Sequence, residues 1–341
     1  MEQVRITERA PLLDKNGSLT KPGWATELLY EYNPKAVKAN KIRLKEWDYY
    51  IMISDEGEYA LALCIADNRY MGLVDAALID IKNGVKHDFL VPLILPMGKL
   101  HLPTDSGKGD VIFRNAFCDF RYILTDGGRR LLANYNLPGG KTFVCNIYLQ
   151  QPKMDTMVIA TPWKEDPKAF YYNQKINCMR AEGFCEFDGQ RYTFSPKTDF
   201  GTLDWGRGVW TYDNTWYWGS GNMDIDGHTF GYNIGYGFGD TTAASENMLF
   251  YDGVCHKLDR VQFVMPEDDM MKPWKFTETN HRFEMDFVPL FDHRTDISAV
   301  VISQDAHQVF GRLSGTAVLD DGTKIQVQNK LVFAERVHNR Y

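Results

Sequence analysis

Between Asp199 and Asp240 the sequence gathers residue types that could do chemistry on an apolar molecule. Trp205, Trp210, Trp216 and Trp218 are half of the chain's 8 tryptophans, and Asp204, Arg207, Asp213 and Asn214 stand among them. An indole offers a large flat apolar face and one N–H donor, so four of them suit the walls of an extended hydrophobic ligand. A carboxylate and a guanidinium in such company are costly to bury unless they pair or act on something. Asp204 and Arg207 are therefore catalytic candidates and the four tryptophans ligand-binding ones. Residues three apart on a strand fall on opposite faces, so contact between Asp204 and Arg207 requires a bend or bulge at Gly206 or Gly208. The alternative is a Trp-rich sheet core with the two as a structural ion pair.

Two further constellations stand beside this one. Glu46-Trp47-Asp48-Tyr49-Tyr50 places Glu46, Asp48 and Tyr50 on one face of a strand and Trp47 and Tyr49 on the other. Two carboxylates about 7 Å apart on one face repel when both are ionised. Such repulsion raises one pKa toward neutrality and makes a general acid; a solvated face serving Arg43 and Lys45 is the plainer reading. Tyr232-Asn233 and Glu246-Asn247 follow the glycine run. Glu246 could orient Arg207 or act as a base, or merely cap a hairpin.

Other chemistries lack their signatures. His-Glu-x-x-His is missing, and the 8 histidines are never paired at ligand spacing. Gly235-x-Gly237-x-Gly239 has no βαβ unit around it, Gly107-Lys108-Gly109 lacks Walker spacing, and Gly-x-Ser-x-Gly does not occur. Neither a metal nor another cofactor is expected. The net charge of -7 is spread without a basic block, which argues against a nucleic-acid partner. No apolar run approaches a membrane span, and the first residues are not a secretory signal. The expected partner is a hydrophobic small molecule and the expected location the cytoplasm, with the six scattered cysteines as free thiols; oligomeric state stays open.

The elements that must position these residues are strands. Aromatic residues make up 13% of the chain, and apolar runs alternate with Asn83-Gly84, Asp126-Gly127, Asp188-Gly189, Asp226-Gly227, Asp252-Gly253 and Asp321-Gly322. Such pairs permit the positive φ values of tight hairpin turns. An all-β chain follows. Turn-like segments at Gln151–Asp155 and Thr161–Pro167 suggest a boundary, giving an irregular lead-in over 1–45 and β-domains over 46–160 and 161–341.

Asp204-Trp205-Gly206, Trp216-Tyr217-Trp218 and Asp226-Gly227 resemble the Asp-x-x-Trp-Gly…Trp-x-Trp…Asp-Gly pattern of the lipocalin-like carotenoid hydratase, tocopherol cyclase and Diels–Alderase superfamily. Asp-Trp-Gly-Arg-Gly-Val-Trp, Gly-Tyr-Asn-Ile-Gly-Tyr-Gly, Pro22-Gly23-Trp24 and Lys45-Glu46-Trp47-Asp48 are similar to a domain-of-unknown-function family (DUF2804) within it. The resemblance implies two lipocalin-like antiparallel β-barrel or sandwich domains packed together, with a ligand cavity in or between them. It implies that Asp204 is the motif acid. Where the hydratases carry a histidine near that acid, this chain has Thr202-Leu203 before it and Arg207 after it.

Two functions follow. One is metal- and nucleotide-independent acid/base catalysis (hydration, isomerisation or cyclisation) on a terpenoid, steroid or unsaturated lipid. The other is a non-catalytic carrier in which the tryptophans form walls and Arg207 anchors a carboxylate head.

Overall fold

The computed structural model describes residues 3–266, 268–299 and 302–340. It is nearly all-β, with 62% strand and 3% helix. Two curled antiparallel half-barrel sheets pack together. Asp188-Gly189, Asp226-Gly227 and Asp252-Gly253 have positive φ at both residues, the conformation a two-residue type I′ hairpin turn requires. Among the described residues no helix is long and apolar enough to cross a membrane.

The first sheet has 13 strands. Its main path runs Val85–Ile94, Met71–Asp80, Tyr59–Asp67, Leu44–Ser54, Phe200–Val209, Phe170–Phe187, Thr142–Gln150, Gly128–Asn136, Cys118–Thr125 and Val111–Arg114. The second has 9 strands, ordered Val254–Lys257, Met248–Tyr251, His228–Tyr236, Asp213–Ile225, Lys324–Arg340, Ile302–Val318, Phe283–Ala299, Trp274–Glu278 and Val261–Val264. The sheets therefore change over at residues 210–212, whereas the sequence suggested a break near 160. The segments after Gln150 and Pro162 only link strands of the first sheet. Turn chemistry marks where a chain reverses and says nothing about which sheet it rejoins.

The described part of the lead-in, residues 3–45, is irregular but not loose. Gly23–Ala25 pairs with Met157–Pro162, and Leu12, Tyr30, Tyr32 and Val37 are buried in the first core.

Alternation along the central strands sorts the sequence between two environments. Glu46 opposes Arg207, Asp48 opposes Trp205 and Tyr50 opposes Leu203. This face looks into the first half-barrel, where Tyr50 meets Tyr122. Lys45, Trp47 and Tyr49, with Asp204, lie on the other face, toward the second sheet. There Tyr49 packs edge-on against Trp218.

Candidate functional site

Between the facing sheets lies a cavity of about 280 Å³. Two rows of residues, each running across strands in register, form its opposed walls. In the first sheet the row is Lys175, Asp204, Tyr49, Cys64 and Asp75. In the second it is Trp218, Glu335, Gln308 and His293. Side chains meet across the gap: Gln308 Nε2 donates to Tyr49 Oη at 3.0 Å, and the Lys175 ammonium sits 4.0 Å from the centre of the Trp218 ring. Trp47, Trp210, Trp216 and Phe238 close one side with aromatic faces. Trp210 stands edge-on to Trp47 and Trp216 at centroid distances of 5.6 and 5.2 Å.

The ionisable groups of this cavity have different partners. Asp204 accepts from Lys175 Nζ at 2.7 Å and from Asn173 Nδ2 at 2.6 Å. It is a satisfied carboxylate, and Lys175 is fully buried against it. Glu335 accepts from Trp216 Nε1 at 2.9 Å and from Gln308 Nε2 at 3.3 Å. Burial pushes its carboxyl up to about 7, against the pull of these hydrogen bonds and of Lys175. Asp75 opens onto the cavity among Ala62, Leu73 and Ala77. Burial, helped by the Asp88 carboxylate, pushes it up to about 7 as well. No hydrogen bond from a described residue reaches it, so nothing favours its ionised form apart from nearby His293, whose Nε2 donates to Asp88 Oδ1 at 2.9 Å.

Of the residues singled out in the sequence, Asp204, Trp210, Trp216 and Trp218 line this cavity. Arg207 does not. The strand Phe200–Val209 is regular, so Arg207 points into the first half-barrel, away from Asp204. It pairs with Asp48 at 2.9 Å, donates to the carbonyls of Trp47, Gly206 and Pro103, and stacks on Trp205 at 4.3 Å. The expected Asp204–Arg207 unit therefore does not form. Gly206 and Gly208 leave room rather than bend the chain: a Cβ on Gly206 would lie 2.0 Å from the Trp47 ring, and one on Gly208 would lie 2.4 Å from the Phe170 carbonyl oxygen and 3.0 Å from Trp210 Nε1.

Glu46, Asp48 and Tyr50 share a face, as the alternation required, but it is the interior of the first half-barrel. Glu46 binds Arg69 and the Tyr32 hydroxyl, both at 2.7 Å. Tyr50 accepts from Arg129 at 3.3 Å. Trp205 is enclosed there, edge-on to Tyr172. The second constellation splits. Tyr232 turns into the core of the second half-barrel. Asn233 accepts from Trp218 Nε1 at 2.7 Å and donates to the carbonyl of Glu246, so it holds a wall from behind. Glu246 is buried beside Tyr171 and burial pushes it up to about 7, but it stands behind the lining and far from Arg207's face.

Lys175, Glu335, Asp75 and Gln308 were not singled out in the sequence. Only Asp75 carried a local signal, as a lone polar residue within the apolar run Leu-Val-Asp-Ala-Ala-Leu; Lys175, Gln308 and Glu335 have polar neighbours in sequence and did not stand out. A larger concavity of about 900 Å³ borders Trp163, Asp240, Ser245, Arg260 and Glu278. Fewer aromatic side chains line it than line the cavity between the sheets. Among the described residues, no three His, Cys, Asp or Glu side chains converge in a way that could hold a metal ion.

Known proteins match in fold. An AttH-type protein of Nitrosomonas europaea superposes with a TM-score of 0.55 at 11% identity, covering 96% of this chain and 98% of its own. Kievitone hydratase from Nectria haematococca gives 0.47 at 12%, covering 87% and 88%. No curated protein matches the sequence. The model of a domain of unknown function, DUF2804, matches residues 3–341, and the chain belongs to that family.

Proposed function

We propose that the protein is an enzyme that moves protons on a small, unsaturated, hydrophobic molecule held between the two sheets. The observation that carries this reading is the pair of carboxyls, Asp75 and Glu335, pushed to near neutrality on opposite walls of one aromatic cavity. A carboxyl in that range is a proton donor of useful strength at neutral pH. Asp75, without stabilising donors, is the general acid. Its proton forms a C–H bond with one alkene carbon, using the π pair and leaving positive charge on the neighbouring carbon. The indole faces and the Glu335 carboxylate stabilise that charge. Water addition gives hydration, and loss of an adjacent proton gives isomerisation; attack by a second double bond, followed by proton loss, gives cyclisation. Each outcome returns a proton to Asp75 with no change of oxidation state, and none requires a metal or a nucleotide.

At about 280 Å³ the cavity lies near the lower end of the ~300–1,000 Å³ range of ligand pockets. Substrates of monocyclic to bicyclic size fit this better than steroids or long polyenes. The carrier reading draws support from Asp204, whose carboxylate is held by Lys175 and is not free to transfer a proton. It has lost its anchor, because Arg207 faces away. Incubation with small cyclic alkenes and enones in D₂O, read by mass spectrometry, separates the two. Deuterium should enter the product with the unmodified protein and not with Asp75→Asn. Binding without incorporation would favour the carrier.

A further inference from the structure

The cavity already contains one bound ammonium, its own. Lys175 lies 4.0 Å over the Trp218 ring with the Asp204 carboxylate 2.7 Å away. An indole face and a carboxylate together compensate a cation that has left water. One position along the wall, a second buried carboxylate and a second indole stand together, the indole N–H edge bonded to the carboxylate. Glu335 is bonded only by neutral donors, Trp216 Nε1 and Gln308 Nε2, and Trp216 stands edge-on to Trp210.

Resting on the cavity as the site of proton transfer, we propose that the substrate carries a protonated amine, seated against the Glu335 carboxylate and beside the indole faces of Trp216 and Trp210. The charges around it agree. Lys175, whose charge reaches Glu335, is partly offset by its partner Asp204. Asp75 adds an acid to the same lining, and Arg207, the cation that could have received an anionic head group, points into the first half-barrel. A cation at Glu335 leaves Asp75, on the opposite sheet, as the proton donor.

Isothermal titration calorimetry with three bicyclic probes of one shape tests this: 2-naphthylmethylammonium, 2-naphthalenemethanol and 2-naphthoate. The ammonium should bind the unmodified protein about tenfold or more tighter than the alcohol, and the naphthoate weakest. Glu335→Gln, which keeps an acceptor for Trp216, should remove the preference for the ammonium. The ranking in the unmodified protein decides the matter even if the variant does not fold. Equal or tighter binding of the alcohol or the naphthoate would overturn the amine assignment and leave proton transfer standing. No binding by any of the three would remove the cavity as a ligand site, and both readings with it.

Discussion

Lys175 is the residue on which the electrostatics of the cavity turn. It is fully buried, holds Asp204 at 2.7 Å, and is the positive charge that restrains both Glu335 and Glu246. Lys175→Met removes that charge and leaves the buried Asp204 carboxylate with only the Asn173 amide for a partner. Breaking a buried pair from one side usually costs ~3–5 kcal/mol, and urea unfolding should show a loss of that size. The double variant with Asp204→Asn should lose less than the two single losses together, because it strands no charge. Asp75 and Glu335 act in the opposite sense. Their folded pKa values, about 7, lie above those of an unfolded chain, so the folded state binds more protons between roughly pH 4 and 7. Their contribution is fully present below about pH 4 and is lost as the pH rises through about 7. Asp75→Asn and Glu335→Gln should each flatten this decline, raising stability at pH 8 relative to pH 5 by about 1–3 kcal/mol, measured as the shift in denaturant midpoint.

At the scale of elements, the strand Phe200–Val209 carries two functions on its two faces. One face gives Asp204 to the cavity; the other gives Trp205 and Arg207 to the first core. Gly206 and Gly208 make the first face shallow enough for the rings of Trp47 and Trp210 to lie against it. Gly206→Ala should displace Trp47 and cost about 1–3 kcal/mol by overpacking, with a matching change in near-ultraviolet circular dichroism. The hairpins were legible in the sequence because Asp-Gly turns and strand alternation are local signals, and Glu46, Asp48 and Tyr50 could be assigned to one face for the same reason. The partners were not legible. The bend expected at Gly206 assumed that a glycine serves its own strand, whereas the ring it accommodates comes from a residue about 160 positions earlier. Likewise Asp48 claimed Arg207 through the register of a strand far earlier in the chain, and Lys175 claimed Asp204 through that of the neighbouring strand Phe170–Phe187. Nothing in the spacing of Asp204 and Arg207 could reveal those competitors.

For the whole molecule, the site exists only when both sheets are present, since each supplies one wall. Inter-sheet bonds hold the walls in place: Lys86 Nζ donates to the carbonyl of Arg294 at 3.0 Å, His293 meets Asp88, and Arg312 reaches Asp55 and Glu58. The changeover at 210–212 also makes a prediction about fragments. Residues 1–160 lack Phe170–Phe187 and Phe200–Val209, the strands that join the two halves of the first sheet. That fragment should be unfolded by far-ultraviolet circular dichroism, whereas residues 1–209 should keep a strand spectrum. Equal strand content in both would show that the first sheet does not need its late strands.

The pairing of Leu44–Ser54 with Phe200–Val209 also sets a clock on the ribosome. Roughly 150 residues separate the two partners, and at about 5–20 residues per second the nascent chain waits some 7–30 s between making one and making the other. Throughout that interval the early hairpins expose an unpaired edge bearing Trp47 and Tyr49. The segment that later forms a wall of the cavity is thus, during synthesis, the part of the chain most in need of a chaperone.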